Sequence, residues 1–284
     1  MRSKSEAASK NKFGRQLVYS IDRNQKRFRL TLTSSIAAVC LLMGQALAQD
    51  PLKTLPQAYK LQFENEWVKV TRVHYAPHEK LPPHQHTLTG SAYVYLNDSG
   101  PVVFKHLDLP YGAVTRPATK AGSFRLYQGL KEIHEVENLS ELPSDFLRVE
   151  FKTEPVNERS LRGRFYRETY PAGENFEKVQ FENEQVRITR VVWAVGKKVE
   201  ISTAAAPALL VAVAPSNLKL REAKGEAASL KLAAGTARWI APGELTSFEN
   251  TGSEPAEFLR FDFKTKPLSK DILEKDKKHE HSEE

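Results

Sequence analysis

The stretch LQFENEWVKVTRV (61–73) decides the fold, because it occurs twice. It returns as VQFENEQVRITRV at 179–191, 118 residues later. The far end of the same unit recurs as well: ENLSELPSDFLRVEFKTEP (137–155) comes back as ENTGSEPAEFLRFDFKTKP (249–267), 112 residues later. Both ends of a unit of about 95 residues thus repeat, with a six-residue contraction inside. A period this long, present twice, means two tandem modules rather than a solenoid.

Working outward, each module reads as strands. WVKVTRVHY, SAYVYL, PVVFKHLDL, SFRLYQ, KEIHEVEN and DFLRVEFK are short, partly alternating and rich in β-branched and aromatic residues. Pro, Gly and Asn-Asp turns separate them. No 11-residue stretch of the body carries a helical stripe. Many short strands at regular spacing mean a sandwich or barrel. The modules are placed at 59–155 and 179–267. The polar segment 156–178 between them is expected to be a linker carrying a short helix. Residues 268–284 form a charged tail, where His279 and His281 are not given a site of their own.

The chain has 284 residues and a formal net charge of +7. That excess lies in residues 1–29, with nine Lys/Arg against two Asp/Glu. The rest holds 33 basic and 33 acidic residues, so the body offers no electrostatic footprint for nucleic acid. The start has the parts of a secretory signal at 1–48: a basic region to Arg29, the apolar run IAAVCLLMG (36–44), and ALA (46–48) before the expected cut near Ala48. The apolar run is about half of the roughly 20 residues needed to span a bilayer, so no membrane insertion is expected after cleavage. The expected location is periplasmic or secreted. The single cysteine, Cys40, lies inside that run. A processed chain has no thiol, and any metal site must use His, Asp and Glu.

Outside the tail the histidines are His74, His78, His84, His86, His106 and His134, all in the first module. Counting by the repeat, Val192, Ser202, Ala204 and Thr246 replace His74, His84, His86 and His134 in the second. Packing histidines should appear in both copies or scatter. Their concentration suggests a site that one copy keeps and the other lacks. His84 and His86 are one residue apart, so a strand sets both on one face. His134 is the candidate third ligand, with Asn138 four residues on.

PPHQHTLTGSAYVYLNDSG (82–100) followed by AGSFRLYQGLKEIHEVEN (121–138) resembles the two motifs of the cupin superfamily. APGELTSFEN (241–250) resembles the second motif with its turn intact. The resemblance covers about residues 59–267. It implies an all-β bicupin: two tandem double-stranded β-helix, or jelly-roll, barrels, the second without the metal histidines. It also implies pairing into a possible homodimer, as cupins often do. The pattern departs at three places. Counting back from Tyr93 puts Gly90 where the usual carboxylate ligand stands, and Gly129 and Lys131 replace a Pro and a Gly. What carries over is His84, His86 and His134.

Three neutral imidazoles suit one divalent transition metal, Fe, Zn, Mn, Cu or Ni, and leave open positions for a small-molecule ligand. Such a centre fits an oxygenase, lyase or isomerase. The alternative is non-catalytic binding of a sugar or organic acid, or a purely structural bicupin. His74 shares the parity of Val68 and Val70 and is expected inside the barrel as a base or fourth ligand. Tyr93 and Tyr95 are expected either to line the pocket or to be ordinary strand aromatics. Glu135 and Glu137 alternate with His134 and should point out.

Overall fold

The computed structural model describes residues 50–269, apart from 87–88, 108, 111, 130–131, 157–159, 204–205 and 223–224. The expected signal (1–48) and the tail histidines lie outside the described residues. The described residues form one compact unit. A single helical turn, α1 (Pro51–Thr54), is capped by Asp50, whose Oδ1 accepts from Leu52 N. Nineteen strands follow among the described residues.

Barrel 1 has two sheets. One runs β1-β2-β9-β4-β7-β10, with β1 Tyr59–Glu64, β2 Val68–Tyr75, β4 Ser91–Tyr95, β7 Phe124–Tyr127, β9 Ser144–Phe151 and β10 Gly163–Phe165. The other runs β3-β8-β5-β6, with β3 Lys80–His86, β5 Val102–His106, β6 Ala113–Arg116 and β8 Glu132–Asn138. Barrel 2 repeats this order as β11-β12-β19-β14-β17 and β13-β18-β15-β16. Its strands are β11 Phe176–Glu182, β12 Val186–Trp193, β13 Lys198–Ser202, β14 Ala208–Ala212, β15 Ser216–Glu222, β16 Ala228–Leu232, β17 Ala237–Ile240, β18 Leu245–Asn250 and β19 Ala256–Phe263. The architecture is the expected all-β pair of double-sheeted barrels.

The repeated asparagines hold equivalent turns. Asn65 Oδ1 accepts from Trp67 N and Val68 N, and Asn183 Oδ1 accepts from Gln185 N and Val186 N. Asn138 Nδ2 donates to the Ala76 and Leu142 carbonyls, and Asn250 Nδ2 to those of Trp193 and Glu254. Asn250 thus survives without His134's counterpart because its work is structural: it satisfies buried backbone carbonyls.

The larger sheets bury both faces. Val73, Tyr75, Tyr93, Tyr95 and Phe146 fill barrel 1. Val68, Val70, Ala92, Val94, Leu147, Val149 and Phe151, from the same strands, pack instead against Val186, Ile188, Leu209, Val211, Leu259, Phe261 and Phe263 of barrel 2. Each residue meets a seam built from its own counterparts, so the two barrels join through one self-complementary face. Trp67 and Trp239 approach at 6.3 Å between ring centroids and both reach Phe263.

Within the segment read as a linker, Gly163–Phe165 forms a strand that pairs with β7, and Phe165 stacks on Phe124 at 4.6 Å. Leu161 beside it is buried in the seam. His74 lies on the outer face of β2 and is exposed, because the Val68–Val70 parity belongs to the seam and not to the barrel interior.

Truncating a fully buried seam aromatic should cost about 3–5 kcal/mol. Phe263→Ala is therefore expected to lower the urea midpoint of the whole chain in one cooperative transition, with both barrels followed by tryptophan fluorescence and far-UV dichroism. Two separate transitions with barrel 1 unshifted would contradict a shared core.

Candidate metal centre

The centre is positioned by a bulge. Leu81 pairs with Val136, but His84 pairs with His134, so one extra residue is taken up between them. Pro82 and Pro83 occupy that bulge. Proline has no N–H for the ladder and is confined to such breaks. The extra residue switches parity. Leu81 faces the barrel core, and His84 and His86 face it too instead of pointing to solvent. His134 sits on β8 between His84 on β3 and His106 on β5, paired with both. His86 and Glu132 form the adjacent pair. Directly opposed side chains on one face lie about 4.5–5.5 Å apart at Cβ.

The three sequence-predicted ligands therefore meet. Ring centroids are 4.8 Å apart for His84–His134, 5.0 Å for His84–His86 and 5.1 Å for His86–His134. One ligand nitrogen from each lies within 4.8 Å of the others. His84 and His134 are buried, and His86 is half-buried. His84 Nδ1 lies 2.9 Å from the Pro82 carbonyl, so it carries the proton and leaves Nε2 with a lone pair. That lone pair meets the Tyr59 hydroxyl at 2.8 Å, and Tyr59 meets the Tyr75 hydroxyl at 2.9 Å. Burial, reinforced by Tyr75, raises the Tyr59 pKa and keeps the phenol neutral, able to donate to His84.

His134 Nε2 is buried without a hydrogen-bond partner. Its Nδ1 lies 3.4 Å from Glu132 Oε1. The other oxygen of Glu132 accepts from Tyr127 Oη at 2.9 Å and lies 3.3 Å from His106 Nδ1. A carboxylate behind a histidine fixes its tautomer and turns the far nitrogen outward as a ligand. Burial alone would raise the Glu132 pKa, but His134, Tyr127 and His106 outweigh it and hold the group at about 2. The donor set and the orphaned Nε2 fit a divalent ion.

Burial, then the neighbouring His134 and Arg148, pushes His84 down to about 4. Burial and Arg148 also lower His86. Burial lowers His134, partly opposed by Glu132.

Sequence reasoning missed three charged groups in this barrel. Arg148 and Glu150 share the inward parity of Phe146 on β9, both buried, with Arg148 Nη2 3.5 Å from Glu150 Oε1. Arg148 Nε has no hydrogen-bond partner. Burial opposes its charge, but Glu150, Tyr93 and Tyr59 more than offset this and raise its pKa. Glu132 is the third. Parity was the available signal: Glu132 is two residues before His134, and an Arg-x-acid pair recurs in FLRVEF and FLRFDF. Arg116 lies over Phe104 at 3.6 Å and Arg125 near Tyr93 at 5.2 Å. Tyr93 and Tyr95 are buried in the barrel core. Glu137 points out to Lys80, 3.0 Å away.

Gly90 faces the seam, not the centre. A Cβ there would meet Leu161 at 2.5 Å, so a Glu at this position could not reach inward. The inward neighbour is Ser91, whose hydroxyl donates to the Thr89 carbonyl. The repeat count also needs correction in barrel 2. Strand β13 has no bulge, so Ile201 pairs with Thr246, and Thr203 N donates to Glu244 O. Ile201 and Thr203, not Ser202 and Ala204, therefore stand in the places of His84 and His86.

No protein-family model matches the chain, and no curated protein sequence does. Solved structures do. YhaK from Escherichia coli superposes with a TM-score of 0.50 at 15% identity, over 78% of this chain and 99% of that one. A mutant of salicylate 1,2-dioxygenase from Pseudoaminobacter salicylatoxidans gives 0.51 at 13%, over 81% and 82%. A cupin 2 conserved barrel domain protein from Leptotrichia buccalis gives 0.46 at 12%, over 72% and 88%. The chain shares with YhaK and the salicylate dioxygenase the fold described above, two tandem double-sheeted barrels. At these identities the likeness is one of fold.

Two outcomes follow from the histidine environment. A depressed His pKa stabilises the fold above the unfolded value of about 6.5 and loses that stabilisation as pH falls toward the folded value. For His84 this amounts to about 2 kcal/mol by pH 5, or roughly 4–8 °C. Chelator-treated protein should melt lower at pH 5 than at pH 7.5 by calorimetry, and His84→Gln should shrink the difference. In the second, Glu132→Gln should weaken metal binding about 10–100-fold while leaving the fold intact. Competition against a chromogenic chelator measures it, and an unchanged affinity would remove Glu132 from the centre.

Proposed function

We propose that barrel 1 holds one divalent transition metal at His84, His86 and His134 and there binds and transforms a small carboxylate-bearing molecule. The reaction class is that of an oxygenase, lyase or isomerase. The observation that carries this reading is a pair of unsatisfied buried groups in one barrel: the His134 Nε2 among three converging imidazoles, and the Arg148 Nε in the facing wall. An unpaired buried polar group is costly, and a ligand that satisfies both recovers that cost.

When bound, the metal would supply Lewis acidity at an oxygen of the ligand and open coordination positions beside it. The chain's own residues do the rest. Arg148 offers its fork to a carboxylate. Arg116 and Arg125 add positive charge against the two carboxylates Glu132 and Glu150, so the barrel favours an anion. Tyr59 holds a proton at Oη between Tyr75 and His84; released from His84, it can donate to a ligand oxygen. Tyr93, Tyr95, Phe104 and Phe146 keep water out and strengthen each of these interactions. His86, the half-buried member, marks the side from which the centre is reached. The salicylate dioxygenase fold neighbour accords with a small carboxylate, although it contributes only the fold. Export, with a cut near Ala48, belongs to the same proposal and rests on residues 1–48 alone.

A second reading has one observation behind it. The Tyr59 hydroxyl already satisfies His84 Nε2, which suits a barrel that binds without metal. One experiment separates the two. Residues 49–269 are expected to carry close to one equivalent of transition metal by plasma mass spectrometry, lost in His84→Ala/His86→Ala. Calorimetric titration with a panel of small mono- and dicarboxylates should then show a ligand whose affinity falls at least ~10-fold in Arg148→Met, with the metal retained. Absence of metal in the parent chain would leave the non-catalytic binder as the reading.

A further inference from the structure

Barrel 2 lacks the histidines, yet it is not filled. A cavity of about 550 Å³ opens at the end of the barrel where barrel 1 carries its centre. That volume is in the range of small-ligand pockets. The strand pairings fix the correspondence. Glu177 pairs with Val191 as Tyr59 pairs with Val73, and Arg260 pairs with Thr189 as Arg148 pairs with Thr71. The cavity thus replaces Tyr59 by Glu177 and His86 by Thr203, and keeps an arginine and an acid, Arg260 and Asp262, in the places of Arg148 and Glu150. Replacing a tyrosine that plugs barrel 1 with a short exposed carboxylate is what opens the space.

From this wall we propose that barrel 2 is a second binding site, for a neutral polyhydroxylated molecule of mono- to disaccharide size. Its charges balance: Arg187 and Arg260 against Glu177 and Asp262. An anion would meet the two carboxylates, and a cation the two guanidinium groups. Arg187 is further neutralised by Glu182 at 2.9 Å. Val179 and Ala206 are the apolar side chains of the wall, and among the described residues no aromatic face lines it for a nucleobase.

The polar groups match hydroxyls. Arg260 donates through Nε and Nη2 to a single oxygen, Asp262 Oδ1, at 2.8 and 2.7 Å. Oδ2 takes no part in that fork and remains an acceptor. A donor and an acceptor side by side are complementary to vicinal hydroxyls, each of which donates and accepts. Hydrogen bonds to charged groups are the strong ones. The Thr189 hydroxyl lies on the same wall. Thr203 Oγ1 is spent on the Ala241 and Glu244 carbonyls, so it shapes the wall and offers only its lone pairs. The contrast with barrel 1 is electrostatic: an arginine excess and an acceptor-rich imidazole set there, a balanced donor–acceptor wall here.

The site does not depend on the metal centre, and its test is arranged to keep them apart. Residues 49–284, stripped with EDTA and dialysed, are titrated calorimetrically with D-glucose, D-galactose, myo-inositol and sucrose. At least one should bind with one-to-one stoichiometry and a Kd below ~1 mM. Asp262→Asn and Arg260→Lys should each weaken it by at least ~10-fold, and His84→Ala/His86→Ala should leave it unchanged. Thr189→Val, which keeps the volume, serves if either charge variant fails to fold, and should weaken binding several-fold. The proposal is overturned if none of the four binds, if succinate or glycine binds in preference to them, if the pocket variants leave the affinity untouched, or if the histidine variant abolishes it.

Discussion

The apolar seam between the barrels is the constraint on which the rest of this structure depends. A sheet in a free-standing barrel can leave its outer face to water. Here the outer faces of β2, β4 and β9 lie against those of β12, β14 and β19. Strands SAYVY and ALLVA are buried at every position for this reason. Because each residue meets counterparts of itself, the repeat carries its own partner. The face through which a single-barrel protein of this kind could pair is consumed inside one chain. The seam also sets the parity of everything behind it: once Val68 and Val70 face the other barrel, Tyr75, Phe146, Arg148 and Glu150 must face inward.

Barrel 1 departs from a simple apolar core. It encloses four histidines, two carboxylates and Arg148 in a layer surrounded by tyrosines and phenylalanines. Burial drives the imidazoles toward their neutral forms, which are the forms that offer lone pairs. It leaves Glu132 ionised, because three partners hold it so. The same low-polarity surroundings thus select the ligand state of the histidines and the charged state of the residue that orients one of them. A one-residue bulge at two prolines makes this possible. In barrel 2 the bulge is absent, Ile201 takes the inward place opposite Thr246, and neither position offers a metal ligand of this design.

The two barrels therefore share a frame and differ in the chemistry at one end. Barrel 1 is closed by aromatics over an electron-pair-rich centre with cationic walls. Barrel 2 is open at that end and sets two arginines against two carboxylates. The arginine and the acid on the last strand are common to both. They are inward-facing charges on β9 and β19, and each barrel places different neighbours around them.

The sequence by itself determined the duplication, the strand content, the pair of β-barrels and the placing of His84, His86 and His134 on one face. These are local properties: a repeated pattern, a period of two, and histidines on one face. Glu132 was also within reach by the same parity. Tertiary structure decided the rest. His74 carries the right residue type on the right strand, but the seam takes the face assumed to be the interior and leaves it exposed. Gly90 stands at the counted position, but its Cβ direction points at Leu161. Ser202 matches His84 by count, but the missing bulge moves the match to Ile201. Each turns on which side of a strand faces which neighbour. A single added residue reverses that side, and only the packed structure fixes it.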